Sequence, residues 1–334
     1  MNLEPIDPET ALEMYLDSRE REVTEATLNS HRSRLQYFTA WCYDNEIENL
    51  NELTGRDIHR YRLWRRNDGD LTAPSEKTQM DTIRVFIRWL ESIDGVPVDL
   101  FTKVQSPTLS DGENVRDVRV DSEEADAILT ELATFEYAGT IHVVLLLLWR
   151  TMMRRSSVRA LDVEDYHPDE QYLAVTNRPD TGTRLKNGDN GERYVALREQ
   201  TCAVLDDWIE RQRPNVTDDF GRNPLISTAQ GRIHVNTIQT YAYATTRPCF
   251  WGEGCPHDRD LDDCDGTKTK NQAHVCPSSK GPHAVRRGGI THNLKEGRPE
   301  KFVSDRADVS PDILEKHYDR RTEHEKMEQR REYL

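Results

Sequence analysis

The chain has 334 residues, enough for two domains that each bury their own core. Its longest apolar run, Val143 to Trp149, falls far short of the ~20 residues of a bilayer span, and the opening MNLEPIDPET lacks the basic and apolar regions of a secretory leader. A membrane helix is therefore excluded and a cytoplasmic location expected; the formal charge of −15, from 60 acidic and 45 basic residues, taken alone speaks against a nucleic-acid partner.

In chain order, Asp7 and Pro8 meet the N-cap and first-turn preferences of a helix whose apolar face is Leu12, Tyr15 and Leu16. A second helix is predicted from about Thr24, with Leu28, Leu35, Phe38 and Cys42 on one stripe. Thr54 and Asp57 form a capping-box variant ahead of IHRYRLWRR, and Pro74 opens a fourth helix carrying Met80, Ile83, Phe86 and Leu90. Residues 1–104 thus read as a small four-helix domain. Its third helix combines Arg56, Arg60, Arg62, Arg65 and Arg66 with Tyr61 and Trp64, either a phosphate-contacting face or a solvated basic one. Residues 105–117, QSPTLSDGENVRD, are polar and rich in helix breakers and read as a linker.

In the second domain, 118–334, Asp121 and Glu124 cap a helix, and the run at 143–149 suits a buried one. The period then changes: QYLAVTNR and RYVAL alternate or carry β-branched residues, and PDTGTRLKNGDNG between them is dense in turn formers. This predicts a β-hairpin with a long tip. Helices return after Glu199 and Asn236, so the fold class is mainly α with a small β-hairpin or sheet, α+β in the second domain.

The basic residues are lopsided, 10 lysines against 35 arginines. An acidic, lysine-poor and arginine-rich chain fits a salt-loving host, where carboxylates keep the surface hydrated. At molar salt the screening length is only ~3 Å, so net charge no longer decides partners and local contacts do. Lysine scarcity also singles out Lys186, the only lysine between Lys103 and Lys268. It sits on the hairpin tip, where an amine can give up a proton that a guanidinium holds.

Three further segments concentrate chemistry. TMMRRSSVRALDVEDY places Arg154 where an apolar segment meets a polar one, a site that calls for a carboxylate or a phosphate. GPHAVRRGGITHNL puts His283 and Arg286 three residues apart just after Pro282, on one face near the positive end of a helix, where a cation is favourable only beside an anion. EKHYDRRT places Tyr318 after a helical segment; its phenol becomes a nucleophile only where cations take up the transition-state charge.

TMMRRSSVRAL resembles the first arginine box of the tyrosine recombinases, the phage-integrase family, and HAVRRGGITHNL is similar to their second, His-x-x-Arg box. KNGDNGERYVAL resembles their lysine-bearing β-turn, and Tyr318 stands 32 residues beyond Arg286 in the H-Y setting of the family nucleophile. The resemblance implies a core-binding N-terminal domain, a catalytic C-terminal domain and a metal-free transesterification on double-stranded DNA through a 3′-phosphotyrosine. It assigns Tyr318 as nucleophile, Arg154 and Arg286 as phosphate clamps, His283 as a phosphate or proton partner and Lys186 as general acid. SDRADVS aligns with a box that usually carries histidine or tryptophan and puts Arg306 there, which assigns it as a third cation for the phosphate, unable to serve as a neutral hydrogen-bond partner. Ser157 stands where a carboxylate usually braces the first arginine, so another residue must brace Arg154, and Met152 replaces a customary glycine. The expected assembly is a homotetramer on paired sites, with the charged tail HEKMEQRREYL, anchored by Met327 and Leu334, reaching a neighbouring protomer. The competing activities are a type IB topoisomerase and a catalytically degenerate DNA-binding regulator.

Four of the six cysteines, Cys249, Cys255, Cys264 and Cys276, crowd into residues 249–276 together with His257 and His274. In a cytoplasmic chain this points to metal, and a structural zinc on the four cysteines, with a histidine replacing one as the next choice, is expected within an insertion just ahead of His283.

Overall fold

The first helices begin where their caps dictate. Asp7 accepts from the backbone N–H groups of Glu9 and Thr10 to open α1 (Pro8–Arg19), and Thr24 accepts from Thr27 to open α2 (Glu25–Asp44). Thr54 and Asp57 close a reciprocal capping box at the start of α3 (Gly55–Asp68), and α4 (Ala73–Ser92) carries Pro74 in its first turn. The apolar stripes meet in an aromatic core in which Phe38 lies edge-on to Tyr61 with centroids 5.0 Å apart, and Tyr15 edge-on to Phe86 at 5.2 Å.

The computed structural model describes residues 3–110, 113, 117–252, 254–319 and 321–331, and the chain divides into two units, Met1–Arg116 and Asp117–Leu334. Part of the expected linker, residues 111, 112 and 114–116, and the tail residue Leu334 lie outside the described residues.

The second unit starts with α5 (Ser122–Phe135), capped by Asp121 through the Glu124 N–H at 2.9 Å, and continues into α6 (Thr140–Thr151). Ten of the twelve α6 residues are buried, which makes it the central helix of this unit. A short α7 (Arg155–Ala160) leads to an antiparallel sheet of β1 (Tyr166–His167), β2 (Tyr172–Val175) and β3 (Arg193–Ala196), in that order, with Val175 opposite Arg193. The long hairpin tip runs from 176 to 192. After α8 (Glu199–Asp207) comes a two-stranded ribbon, β4 (Ser227–Thr228) with β5 (Gly231–Arg232), then α9 (Val235–Thr245). Among its described residues the Cys-rich segment holds only α10 (Asp265–Lys268) and short 3-10 turns. The chain then forms α11 (Pro282–Lys295), α12 (Glu300–Ala307), α13 (Pro311–His317) and α14 (Glu323–Arg331).

The fold is mainly α with two small antiparallel sheets. Its main core gathers α5, α6, α9, the three-stranded sheet and the start of α11. A second, smaller cluster of Met152, Ile290, Leu294, Val303, Ala307, Val309 and Leu314 joins α11, α12 and α13, and Tyr318 packs on it. No helix among the described residues is long and apolar enough to cross a membrane.

Candidate active site

Close packing of α11 on α6 is what brings the two arginine segments together. A Cβ on Gly288 would lie 1.7 Å from the Val120 carbonyl oxygen, and one on Gly289 2.9 Å from that of Trp149. The glycine pair therefore lets α11 settle against the end of α6. There Met152 adopts the left-handed conformation (φ 57°) that favours glycine, fully buried, and its carbonyl accepts from Arg286 Nη1.

Arg286 is 1% exposed, and its Nε and Nη2 have no hydrogen-bond partner. Burial lowers its pKa to about 10; the Tyr318 phenol opposes that shift, and Arg154 adds to it. A buried guanidinium with two orphan donors is a costly arrangement in the absence of an anion. The Tyr318 ring centroid lies 5.9 Å from the Arg286 guanidinium carbon. Tyr318 ends α13, and its backbone is tied down twice, by its own N–H to the Leu314 carbonyl at 3.0 Å and by the Thr291 hydroxyl donating to its carbonyl at 2.9 Å.

His283 stands exposed at the start of α11, and the surrounding protein, followed by Arg286, Arg287, Arg154 and Arg155, holds its pKa below the ordinary imidazole value. It is thus neutral at pH 7 and able to accept a proton. Arg154 caps α7 and forms an ion pair with Asp308, which ends α12 in the left-handed conformation. Asp308 is the brace that Ser157 cannot supply, and it comes from a segment more than 150 residues downstream. The same carboxylate accepts from Asn187 Nδ2 at 2.8 Å, so the hairpin tip is tied to the partner of Arg154. Lys186, next to Asn187, is exposed on that tip.

Arg306 is placed differently. Its guanidinium donates to the carbonyls of Ala196 at 2.7 Å and Arg150 at 3.0 Å, and burial followed by Arg198 lowers its pKa to about 10. Asp308 is a residue that sequence reasoning missed, because nothing local marks an aspartate as the partner of an arginine so far away.

The arginines of α3 also divide. Arg56, Arg60 and Arg66 are exposed, whereas Arg62 Nε donates to the buried Glu76 at 2.5 Å and Arg65 is 7% exposed, with its guanidinium 3.8 Å from the Tyr37 ring centroid. Arg60, although exposed, also donates to Asn45 Oδ1 at 3.1 Å, so internal contacts engage three of the five.

Cys264 and Cys276 are buried, Cys249 and Cys255 half-buried, and all four are free thiols. Cys264 Sγ and Cys276 Cβ lie 3.7 and 3.3 Å from where a Gly266 Cβ would be. Among the described residues no group of three or more His, Cys, Asp or Glu side chains is placed to hold a metal ion.

Residues 12–92 match the family model described as the phage integrase N-terminal SAM-like domain. A fragment of the Tn1549 transposon integrase, solved in complex with a circular intermediate DNA, superposes with a TM-score of 0.66 at 13% identity, over 98% of this chain and 100% of that one. A lambda integrase fragment, solved as a dimer bound to a COC′ core site, gives 0.64 at 14% identity, over 96% and 97%. The N-terminal domain of a phage integrase/site-specific recombinase from Haloarcula marismortui is 31% identical over 31% of this chain and 99% of that one, with a TM-score of 0.30. No curated protein matches the chain. Residues 12–92 thus match the phage integrase N-terminal SAM-like domain, and the chain as a whole has the fold of the lambda and Tn1549 integrase fragments.

Proposed function

We propose that this protein is a site-specific DNA recombinase that works through a 3′-phosphotyrosine, serving a mobile element, virus or plasmid of a halophilic archaeon. The observation that carries the reading is the Tyr318 ring beside Arg286, a buried guanidinium with two unpartnered donors. In the proposed reaction Tyr318 Oη attacks the scissile phosphorus and its proton passes to neutral His283. Arg286 and Arg154 bind the non-bridging oxygens, where negative charge grows. The bond from phosphorus to the 5′ oxygen breaks, Lys186 protonates that oxygen, and a phosphotyrosine and a free 5′-hydroxyl remain. The reverse steps on a partner strand complete the exchange. Double-stranded DNA would be held in part by Arg56, Arg60 and Arg66, the three exposed arginines of α3. Lambda integrase has been solved as a tetramer bound to a Holliday junction, which supports a homotetramer on paired sites here.

The halophilic host rests on the charge of −15 and on 35 arginines against 10 lysines. Zinc on Cys249, Cys255, Cys264 and Cys276 rests on the number and crowding of thiols, and no catalytic step uses it.

Covalent capture tests the reading. DNA recovered from the protein after denaturation is sequenced to give the target site, and Tyr318→Phe is expected to abolish the adduct while leaving binding to that site within about twofold, because only the hydroxyl is lost. An adduct that persists in Tyr318→Phe overturns the assignment of the nucleophile. Relaxation of any supercoiled plasmid without a paired site would select the topoisomerase, and site binding with no adduct from the unaltered chain would select the regulator.

A further inference from the structure

Arg193 opens β3 at the foot of the hairpin that carries Lys186, and nothing so far has given it a role. Its Nε donates to the Arg306 carbonyl at 3.0 Å and its Nη1 to the Gly191 carbonyl at 2.7 Å. Its Nη2 is buried with no partner. Two backbone carbonyls thus aim the guanidinium but do not neutralise it. The carboxylate that acts on it from nearby, Asp308, is bound to Arg154 instead. Gly191, which accepts from Arg193, backs directly onto that ion pair, since a Cβ there would lie 3.5 Å from Asp308 Oδ2.

Arg193 therefore belongs to the same cluster as Arg154 and Arg286. Burial lowers the pKa of Arg193, Asp308 opposes the shift, and Arg154 reinforces it; Arg193 in turn is among the cations that depress Arg286. Arg154 and Arg193 share one carboxylate and Arg286 has none, which leaves the three guanidiniums with a net charge of +2 in a region largely out of water. A phosphodiester carries one negative charge, and the five-coordinate transition state formed by an alkoxide-like attack carries a second. The excess charge matches the transition state better than the ground state, the condition for rate acceleration. Meanwhile Arg306, which the motif alignment puts at the phosphate, has its guanidinium on the Ala196 and Arg150 carbonyls, and its own backbone carbonyl steers Arg193.

We propose that Arg193, through its unpartnered Nη2, is a third arginine on the scissile phosphate and does there what the alignment assigns to position 306. This rests on the phosphotyrosine reading above. Sequence inspection passes over Arg193 because one arginine among 35, on a strand outside both arginine boxes, carries no local mark.

The test uses the full chain and nicked duplexes of the captured target site, with an ordinary scissile phosphate or with either methylphosphonate diastereomer, in which one charged oxygen is replaced by methyl. Arg193→Ala is expected to slow adduct formation about 100-fold on the ordinary phosphate, the loss typical of one transition-state donor. On the diastereomer that removes its oxygen the loss should shrink to less than about threefold, because the charge it served is already gone. Arg193→Lys should be slowed about tenfold, since it keeps the charge but not the fork. Equal losses on all three duplexes, or no loss on the ordinary one, would overturn the proposal in favour of a packing role. If Arg193→Ala fails to melt cooperatively, Arg193→Lys carries the same comparison.

A second arm does not depend on cleavage. Orthovanadate binding to the full chain, measured by calorimetry, should weaken at least about tenfold in Arg193→Ala. Unchanged binding would count against Arg193 even if the unaltered protein cleaved no DNA, whereas absence of any adduct with intact vanadate binding would overturn the recombinase reading and leave the oxyanion site standing.

Discussion

A cation at the start of a helix opposes its dipole, yet α11 places Arg286 there beside His283, and Arg286 is almost wholly buried. The local arrangement makes sense only with an anion at that helix start, and it sets the protonation of both residues. Because the folded chain holds His283 below the 6.5 of an ordinary histidine, it is neutral at pH 7. As a proton acceptor it should support a rate of adduct formation that is flat from neutral pH down to 6.5 and falls only below that, with His283→Gln removing the acid limb; a limb centred above 7 would refute a neutral His283. Stability has the same sign. As pH falls through 6.5 the unfolded chain takes up the proton before the folded one, so this residue's contribution is complete above 6.5 and is lost on the way down to the folded value. At Lys186 the expectation concerns proton donation. Lys186→Arg should slow cleavage more than binding, since a guanidinium with a pKa above ~12 is a poor acid, and a substrate with a sulfur leaving group should restore the rate selectively in that variant. Failure of that rescue would remove Lys186 from the general-acid role.

At the scale of elements, the decisive contact is α11 on α6. The Gly288 position meets the Val120 backbone, just ahead of α5, as well as the Trp149 ring of α6, so Gly288→Ala cannot be absorbed by a rotamer change alone. We expect a loss of about 3 kcal/mol or more in denaturant unfolding, and loss of adduct formation with it, because the same displacement separates Arg286 from the Met152 carbonyl. A shift of less than about 1 kcal/mol would mean that the helices tolerate separation. The Cys-rich segment is a second element with a sharp test. Elemental analysis of purified protein should find about one zinc per chain in a sulfur-rich tetrahedral site, with Cys255→Ser lowering both metal content and melting temperature. Metal-free protein whose thiols are all modified without loss of stability would make the segment a polar insertion only.

Over the whole molecule, the tail is expected to reach a neighbouring protomer, and within one chain its described part already makes contacts of its own. Gln329 donates to the carbonyls of Leu294 at 3.0 Å and Lys295 at 3.1 Å, and Arg321 joins Asp319, Glu300 and Gln329, so α14 lies against the end of α11 in the same chain. Its charged groups find partners on α11 and α12 of the same chain when no second copy is present. On the proposed reading, assembly on paired sites would exchange these contacts for equivalent ones across protomers. Truncation after Thr322 should accordingly damage tetramer formation, read by sedimentation on paired-site DNA, several-fold more than single-site binding. Equal loss of both would show that the tail serves only its own fold.

What the sequence determined by itself was local or periodic. The caps at Asp7, Thr54 and Asp121, the apolar stripes of the first four helices and the turn-rich break between QYLAV and RYVAL each depend on neighbours within a few residues, and each element formed where those neighbours required. The segments of Arg154, Lys186, His283, Arg286 and Tyr318 were legible for the same reason, as short motifs with a chemical logic. Tertiary structure alone decided the rest. It brought Asp308 to Arg154, turned Arg306 onto two carbonyls, moved Arg193 into the cluster and engaged Arg62 and Arg65 internally. The physical reason is that a guanidinium's partner is chosen by proximity in space among residues far apart in the chain, and that choice follows from how α6, α11, α12 and β3 pack, not from any residue beside the arginine itself.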